Sequence, residues 1–280
     1  MVSRAATAAR TAGPPLAFAG VMVGVWYLIS YVFISTPQRR GILLPPPHEV
    51  WSDAFADGDV RADLIDATWV TAQSAFIGLV TAIVLGVGLA IVMSLSPLAE
   101  RALFPWAVLA QAVPILALVP IIGVFFQNDL DPWFFWLGED LKKRVLVCVL
   151  VAIFPIITNT LFGLKSADRN LYDLLHLHGA SRFTQLTKLE LRAGVPAMFT
   201  GFRISAGLSV IGAVVGEFLF GRGEPGLGTL INRFRGLADG AGLIATIIVS
   251  SALGIVVFWV FSWLNRALTG RWHASTAAGP

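Results

Sequence analysis

Two ionisable residues, Arg203 and Glu217, lie inside one strongly apolar block of the chain. Charge at membrane depth is costly, so both are candidates for lining a pathway, with snorkelling to an interface as the other reading of each. They stand 14 residues apart, about 21 Å along a helix, so they cannot pair within one helix. A second concentration of polar chemistry runs from Asp168 to Pro196, with Arg169, Arg182, Lys188 and Arg192 set against Asp168, Asp173 and Glu190. No Ser/His/Asp set and no pair of carboxylates shares an apolar block, so enzyme chemistry has no constellation to act through. His176 and His178 are two residues apart, point to different helix faces and make poor joint metal ligands. Asp53, Asp57, Asp59 and Asp63 lack the spacing of a calcium loop and read as a solvated acidic face. Gly221 to Gly226 fits the dinucleotide fingerprint as a string, but no strand precedes it, and it reads as a turn at a helix end. No P-loop lysine motif occurs, so the chain does not hydrolyse ATP by itself.

The elements that must position these residues are membrane helices. Of 280 residues, 56% are hydrophobic and 13% charged, about half the charge of a soluble domain. The pattern predicts an all-α membrane protein of six spans: Leu16–Ile34, Thr68–Ser94, Leu103–Phe126, Val145–Leu164, Ala197–Phe220 and Leu243–Leu264. The runs are too long and uniformly apolar for barrel strands, and backbone in lipid must satisfy its own hydrogen bonds. The first run is longer than a signal-peptide core and has no small-residue cleavage site after it, so it reads as an uncleaved membrane helix. Residues 1–15 and 273–280 read as tails around a membrane domain of residues 16–272. The net charge of +3, scattered along the chain, argues against nucleic acid, and Cys148 allows no internal disulfide.

Within the spans, Ser74, Gly78, Ala82, Gly86, Ala90 and Ser94 recur four apart, and Gly201, Ser205, Ser209, Gly212 and Gly216 repeat the theme. Such small-residue faces let a neighbouring helix approach closely, either for plain packing or for movement. Pro114 and Pro120 predict kinks in the third span, which could line a pathway, and Pro155 predicts a similar break in the fourth. Leu44 to Pro47 stops any helix, and a short surface helix follows with Val50, Trp51, Ala54 and Phe55 on its apolar side. Pro132 to Trp136 reads as an interfacial aromatic cluster. If the segment 168–196 is cytoplasmic, basic residues divide ten to nine across the membrane, which does not set orientation. That segment reads either as a plain interfacial link or as a short amphipathic helix whose leucine edge, Leu171, Leu174, Leu175 and Leu177, needs a partner's groove.

The same segment resembles the cytoplasmic EAA loop of permease subunits of binding-protein-dependent ABC importers. Asp173-Leu174-Leu175 stands at the Glu-Ala-Ala, followed by Gly179-Ala180-Ser181-Arg182, with Pro196 beyond. Phe154 to Thr160 with Asn159, Thr200-Gly201-Phe202-Arg203, Glu217 and Gly226-Leu227-Gly228 are similar to the flanking family pattern, so the likeness runs from about Leu44 to Trp272. Within the family it is nearest to permeases for sulfonates, taurine, nitrate and pyrimidine-type vitamin precursors. The resemblance implies a type I importer fold with a cytoplasmic coupling helix, in a multi-pass inner-membrane protein. Asp173, Leu174, Leu175, Gly179, Ala180, Ser181 and Arg182 would face the ATPase, with Arg182 and Lys188 pairing with its acids. Pro114, Pro120, Asn159, Arg203 and Glu217 are the candidates for the pathway. It further implies a homodimer in lipid, two ABC ATPase subunits that use the ATP, and an extracytoplasmic solute-binding protein that delivers a small molecule and meets outer loops such as 221–228. The reading from the residues alone leaves two others open: a secondary transporter or channel without ATPase, and a membrane enzyme acting on lipid.

Overall fold

The computed structural model describes residues 2–34, 36–125, 138–221 and 223–269. The aromatic cluster Pro132 to Trp136, Arg222 and Trp272 lie outside them. Every regular element among the described residues is helical. Among the described residues, five helical stretches are long and apolar enough to cross a membrane: Gly13–Phe33, Gly58–Leu95, Asp140–Leu164, Arg182–Phe220 and Gly240–Ala267. A bent pair, Pro97–Ala112 with Ile115–Val124, makes a sixth if taken as one span.

Helix α1, Val2–Leu28, passes through a π turn at Ile29–Phe33, so the expected N-terminal tail is itself helical. Two short helices follow, α2 (Pro37–Leu43) and α3 (Pro47–Val50), the latter continued by a π turn at Trp51–Phe55. The long helix α4 is Gly58–Leu95. The third span is two helices, α5 (Pro97–Ala112) and α6 (Ile115–Phe125), turned by 96°. Pro114 is the reason: it lacks an N–H, and it forces Val113 out of the helical region to φ −73°, ψ 124°. Pro120 lies within α6 and does not interrupt it.

Helix α7, Glu139–Leu164, corrects the expectation at Pro155, which does not break it. Thr158 and Asn159 donate their side chains to the carbonyls of Phe154 and Pro155, and Gly201 from a later helix packs directly on the Pro155 carbonyl. Pro155 removes only the amide that the Val151 carbonyl would accept, and the rest of the helical ladder keeps the rod continuous. The segment 168–196 contains α8 (Arg169–Leu177), α9 (Arg182–Gln185) and a π turn at Leu186–Glu190 that runs straight into α10, Leu191–Phe220. After Gly221 come α11 (Leu227–Gly236) and α12 (Gly240–Thr269).

The chain divides into two compact units. The smaller comprises the residues up to Asp66 together with Leu230–Val249. Within it the proline run is strapped to α1 by Trp26 Nε1 donating to Pro45 O at 3.0 Å, and to the π turn after α1 by Ser30 Oγ donating to Leu44 O at 2.8 Å. Val50 and Ala54 turn inward as expected, but Trp51 is 68% exposed and points away from them. Residue 51 is one step of about 100° from Val50, and the π turn beginning there widens the offset from Ala54. The acidic residues Asp53, Asp57 and Asp59 are exposed, while Asp63 pairs with Arg233 at 2.6 Å.

The larger unit, Ala67–Thr229 together with the residues from Ser250, holds the core. Its centre is α7 packed along α10. Gly163 and Gly194 meet backbone to backbone, and a Cβ on Gly212 would stand 2.8 Å from the Cys148 Cα. The two small-residue ladders therefore each make one packed face. Ser74, Gly78, Ala82, Gly86 and Ala90 of α4 are buried, as are Gly201, Ser205, Ser209, Gly212 and Gly216 of α10. Ser205 Oγ donates across the α7 interface to Ala152 O at 2.6 Å. Close approach of this kind replaces the hydrophobic drive that lipid removes.

Candidate functional site

The polar segment forms an exposed platform. Asp168 caps α8, its carboxylate accepting from Asn170 N at 2.8 Å. Leu171, Leu174 and Leu177 are exposed, Leu177 by 86%, and Leu175 is half-buried. Asp173 is also exposed. Gly179 ends the helix at φ +66°, a left-handed conformation that residues with a Cβ adopt at a cost. Ala180 N closes the turn on Leu175 O at 2.9 Å, and Ser181 caps α9 by accepting from Thr184 N. The segment is thus a short amphipathic helix with an exposed leucine edge, followed by a sharp, pre-set turn.

Arg182 behaves differently from its neighbours in the motif. It was expected to face an acid of the ATPase, yet its guanidinium is engaged inside the chain. It pairs with Glu190 and donates to Ser94 O at 2.8 Å. Glu190 is 1% exposed and also accepts from Ser94 Oγ at 2.8 Å. A buried carboxylate at the base of α10 needs such partners, and Arg182, eight residues before it, supplies one. Tyr172 of α8 reaches the same group: partial burial first, then the Glu190 carboxylate, push its phenol above the usual range. The platform, the base of α10 and the end of α4 therefore meet at Glu190. Lys188 remains exposed.

Sequence reasoning counted Glu190 as a loop acid and Ser94 as the last rung of a packing ladder. The available signal was that a hydroxyl stood on the ladder face at the level where α10 begins.

The pathway candidates are not brought together. Pro114 is the corner between α5 and α6, and Asn159 is spent on Pro155 O at 2.8 Å. Arg203 is half-buried, its guanidinium 5.2 Å from the Phe258 ring centroid, and its Nε meets no hydrogen-bond partner among the described residues. It stands on the same helix as an apolar groove of about 580 Å³ between α10 and α12, lined by Ile204, Gly207, Ile211, Ser251, Gly254 and Phe258 among others. Glu217 is fully buried and does not snorkel. Its Oε2 accepts from Thr71 Oγ1 at 2.8 Å and from Gly228 N at 3.0 Å.

The description "Binding-protein-dependent transport system inner membrane component" matches residues 82–270. The chain is 38% identical to the formylaminopyrimidine transport permease protein ThiX of Halalkalibacterium halodurans over 192 residues, 69% of this chain and 72% of that one. It is 36% identical to the riboflavin transport system permease protein RibX of Chloroflexus aurantiacus over 176 residues, 63% of this chain and 60% of that one. A chain of an amino acid ABC transporter crystallised with histidines superposes with a TM-score of 0.56 at 14% identity, covering 76% of this chain and 95% of that one, a likeness of fold. The chain belongs to the binding-protein-dependent transport system inner membrane components: it is a multi-pass inner-membrane subunit of an ABC importer, forming the way through the membrane for a small solute, with ATP hydrolysed on a separate subunit and a solute-binding protein as partner.

Proposed function

We propose that two copies of this chain enclose a pathway for a small, flat nitrogen heterocycle of the pyrimidine or flavin kind. The observation that carries the choice is that two relatives more than a third identical are named for such solutes. The chemistry of the walls agrees. The groove between α10 and α12 is apolar with two serines at its side, Ser250 and Ser251, which suits a neutral ring better than a small anion. Arg203, stacked on Phe258, presents a flat cation beside an aromatic face, an arrangement that can pass a heterocycle by stacking. Lipid would cover the remaining apolar faces of the helices.

In this reading α8 is the coupling helix. Leu171, Leu174 and Leu177 supply its apolar edge to a groove on the ATPase, Asp173 flanks that edge, and Gly179, Ala180 and Ser181 set the turn. Arg182 then works inside the permease, linking the turn to Glu190. ATP-driven closure of the ATPase pair would move α8, and the spans would follow between outward-open and inward-open states.

The test is uptake into proteoliposomes holding the permease, its ATPase and its binding protein. ATP-dependent accumulation of labelled formylaminopyrimidine or riboflavin is expected. Accumulation of taurine or nitrate, with neither heterocycle entering, would overturn the assignment.

A further inference from the structure

At the end of α10 opposite the platform, Glu217 is buried without serving the coupling segment. Its surroundings come from four elements. Thr71 of α4 offers one hydroxyl proton, shared between Ala67 O at 2.9 Å and Glu217 Oε2 at 2.8 Å, and the same oxygen accepts from Leu227 N at 2.9 Å. Glu217 Oε2 also accepts from Gly228 N at 3.0 Å. Leu227 and Gly228 are the first two residues of α11, so two of its unsatisfied amides are met by groups on other helices. Arg144 of α7 donates to Glu224 O at 2.9 Å, holding the same turn from a further helix. Gly221 begins the turn in the left-handed region at φ +41°. Gly226 and Gly228 complete it without a Cβ, because one on Gly226 would overlap the Glu217 carboxylate and one on Gly228 would overlap Val214 O. Glu217 Oε1 has no hydrogen-bond partner among the described residues.

We propose that Glu217 is a positioning residue that caps α11 from another helix, with Thr71 as its co-cap, and thereby sets residues 223–228 in the geometry the solute-binding protein engages. Anionic and hydroxyl acceptors at a helix N-terminus satisfy its amides and complement its dipole. Here the acceptors are remote in sequence, 11 residues before Gly228 and 156 before Leu227. The turn is therefore tied to α10 and α4 and carries any displacement of these helices to the outer face. Because α10 is continuous from Leu191 to Phe220, its other end is the Glu190 junction. The role of the outer face rests on the importer assignment; the cap itself does not.

The experiment uses the full reconstituted complex with the binding protein purified together with its bound solute. Thr71→Val removes both the donor to Glu217 and the acceptor of Leu227 N while keeping the shape, and Thr71→Ser restores both. In Thr71→Val the concentration of loaded binding protein giving half-maximal ATPase stimulation should rise about fivefold to tenfold, the worth of a lost cap. Basal ATPase should be unchanged, and Thr71→Ser should return to the wild-type value. Hydrogen exchange of the Leu227 and Gly228 amides, measured in the same samples and in Glu217→Gln, should quicken in Thr71→Val and less in Glu217→Gln. Faster exchange with an unchanged half-maximal concentration overturns the docking role. Unchanged exchange in both variants overturns the cap. A fall in basal and stimulated ATPase in proportion, with half-maximal concentration unmoved, marks a purely structural contact and also overturns the proposal. A wild-type complex that loaded binding protein fails to stimulate would instead count against the importer assignment.

Discussion

Arg182 pairs with Glu190 across the turn that joins the polar platform to α10, and both reach Ser94 on α4. A residue that the motif places toward a partner subunit is thereby part of the permease's own frame. The pair joins the platform that carries α8 to two helices, α4 and α10.

Glu190→Gln keeps an acceptor for Ser94 but removes the charge that holds Arg182. Because the Arg182 side chain is 42% exposed, the stability lost should be only about 1 kcal/mol. The functional loss should be selective. ATPase activity of the assembled complex is expected to persist while solute moved per ATP falls, measured as paired uptake and phosphate release. A fall of both in equal proportion would contradict a transmitting role.

Leu174→Asp and Leu177→Asp should leave the permease as stable as wild type, since both side chains are already exposed. They should abolish co-purification of the ATPase. Gly179→Ala carries a different penalty, about 1–2 kcal/mol for a left-handed residue with a Cβ, and should weaken that association without abolishing it. Affinity capture of the three variants beside wild type checks the order.

Gly212 and Gly207 lie five residues apart on α10 with opposite surroundings. A Cβ on Gly212 would press on the Cys148 backbone, while nothing lies within 4 Å of one on Gly207. Gly212→Val should cost about 1–3 kcal/mol or more by overpacking. Gly207→Ala should be close to neutral. Thermal unfolding in detergent, followed by a thiol probe of Cys148, separates them, because Cys148 is buried until the helices part.

Tyr172 gives the platform a pH dependence. Its phenol is pushed up by burial and by the Glu190 carboxylate, so the folded state holds the proton more tightly. The contribution is present below the ordinary phenol pKa of about 10 and is lost as pH rises through the raised value. Wild type should therefore lose stability on alkaline titration that Tyr172→Phe does not lose. Parallel curves for the two would contradict the contact.

The architecture was legible because a bilayer leaves few choices. Runs of about 20 apolar residues must be helices, and four-residue spacing of Gly, Ala and Ser must be a packing face. The α8 helix, its leucine edge and the turn at Gly179 could also be read, since caps and left-handed glycines are local. The fate of the prolines could not. Pro114 turns the chain by 96°, whereas Pro155 sits in an unbroken helix packed against Gly201 of α10, and the chemistry of proline is the same in both.

The sequence by itself determined that this is a helical membrane protein with a short leucine-edged amphipathic helix and two charges inside one span. Only the tertiary structure decided what those charges and their neighbours do. Glu217 meets Thr71 across 146 residues, and Glu190 meets Ser94 across 96. A buried carboxylate must find donors wherever the fold brings them, and no local spacing records which distant hydroxyl or amide that will be.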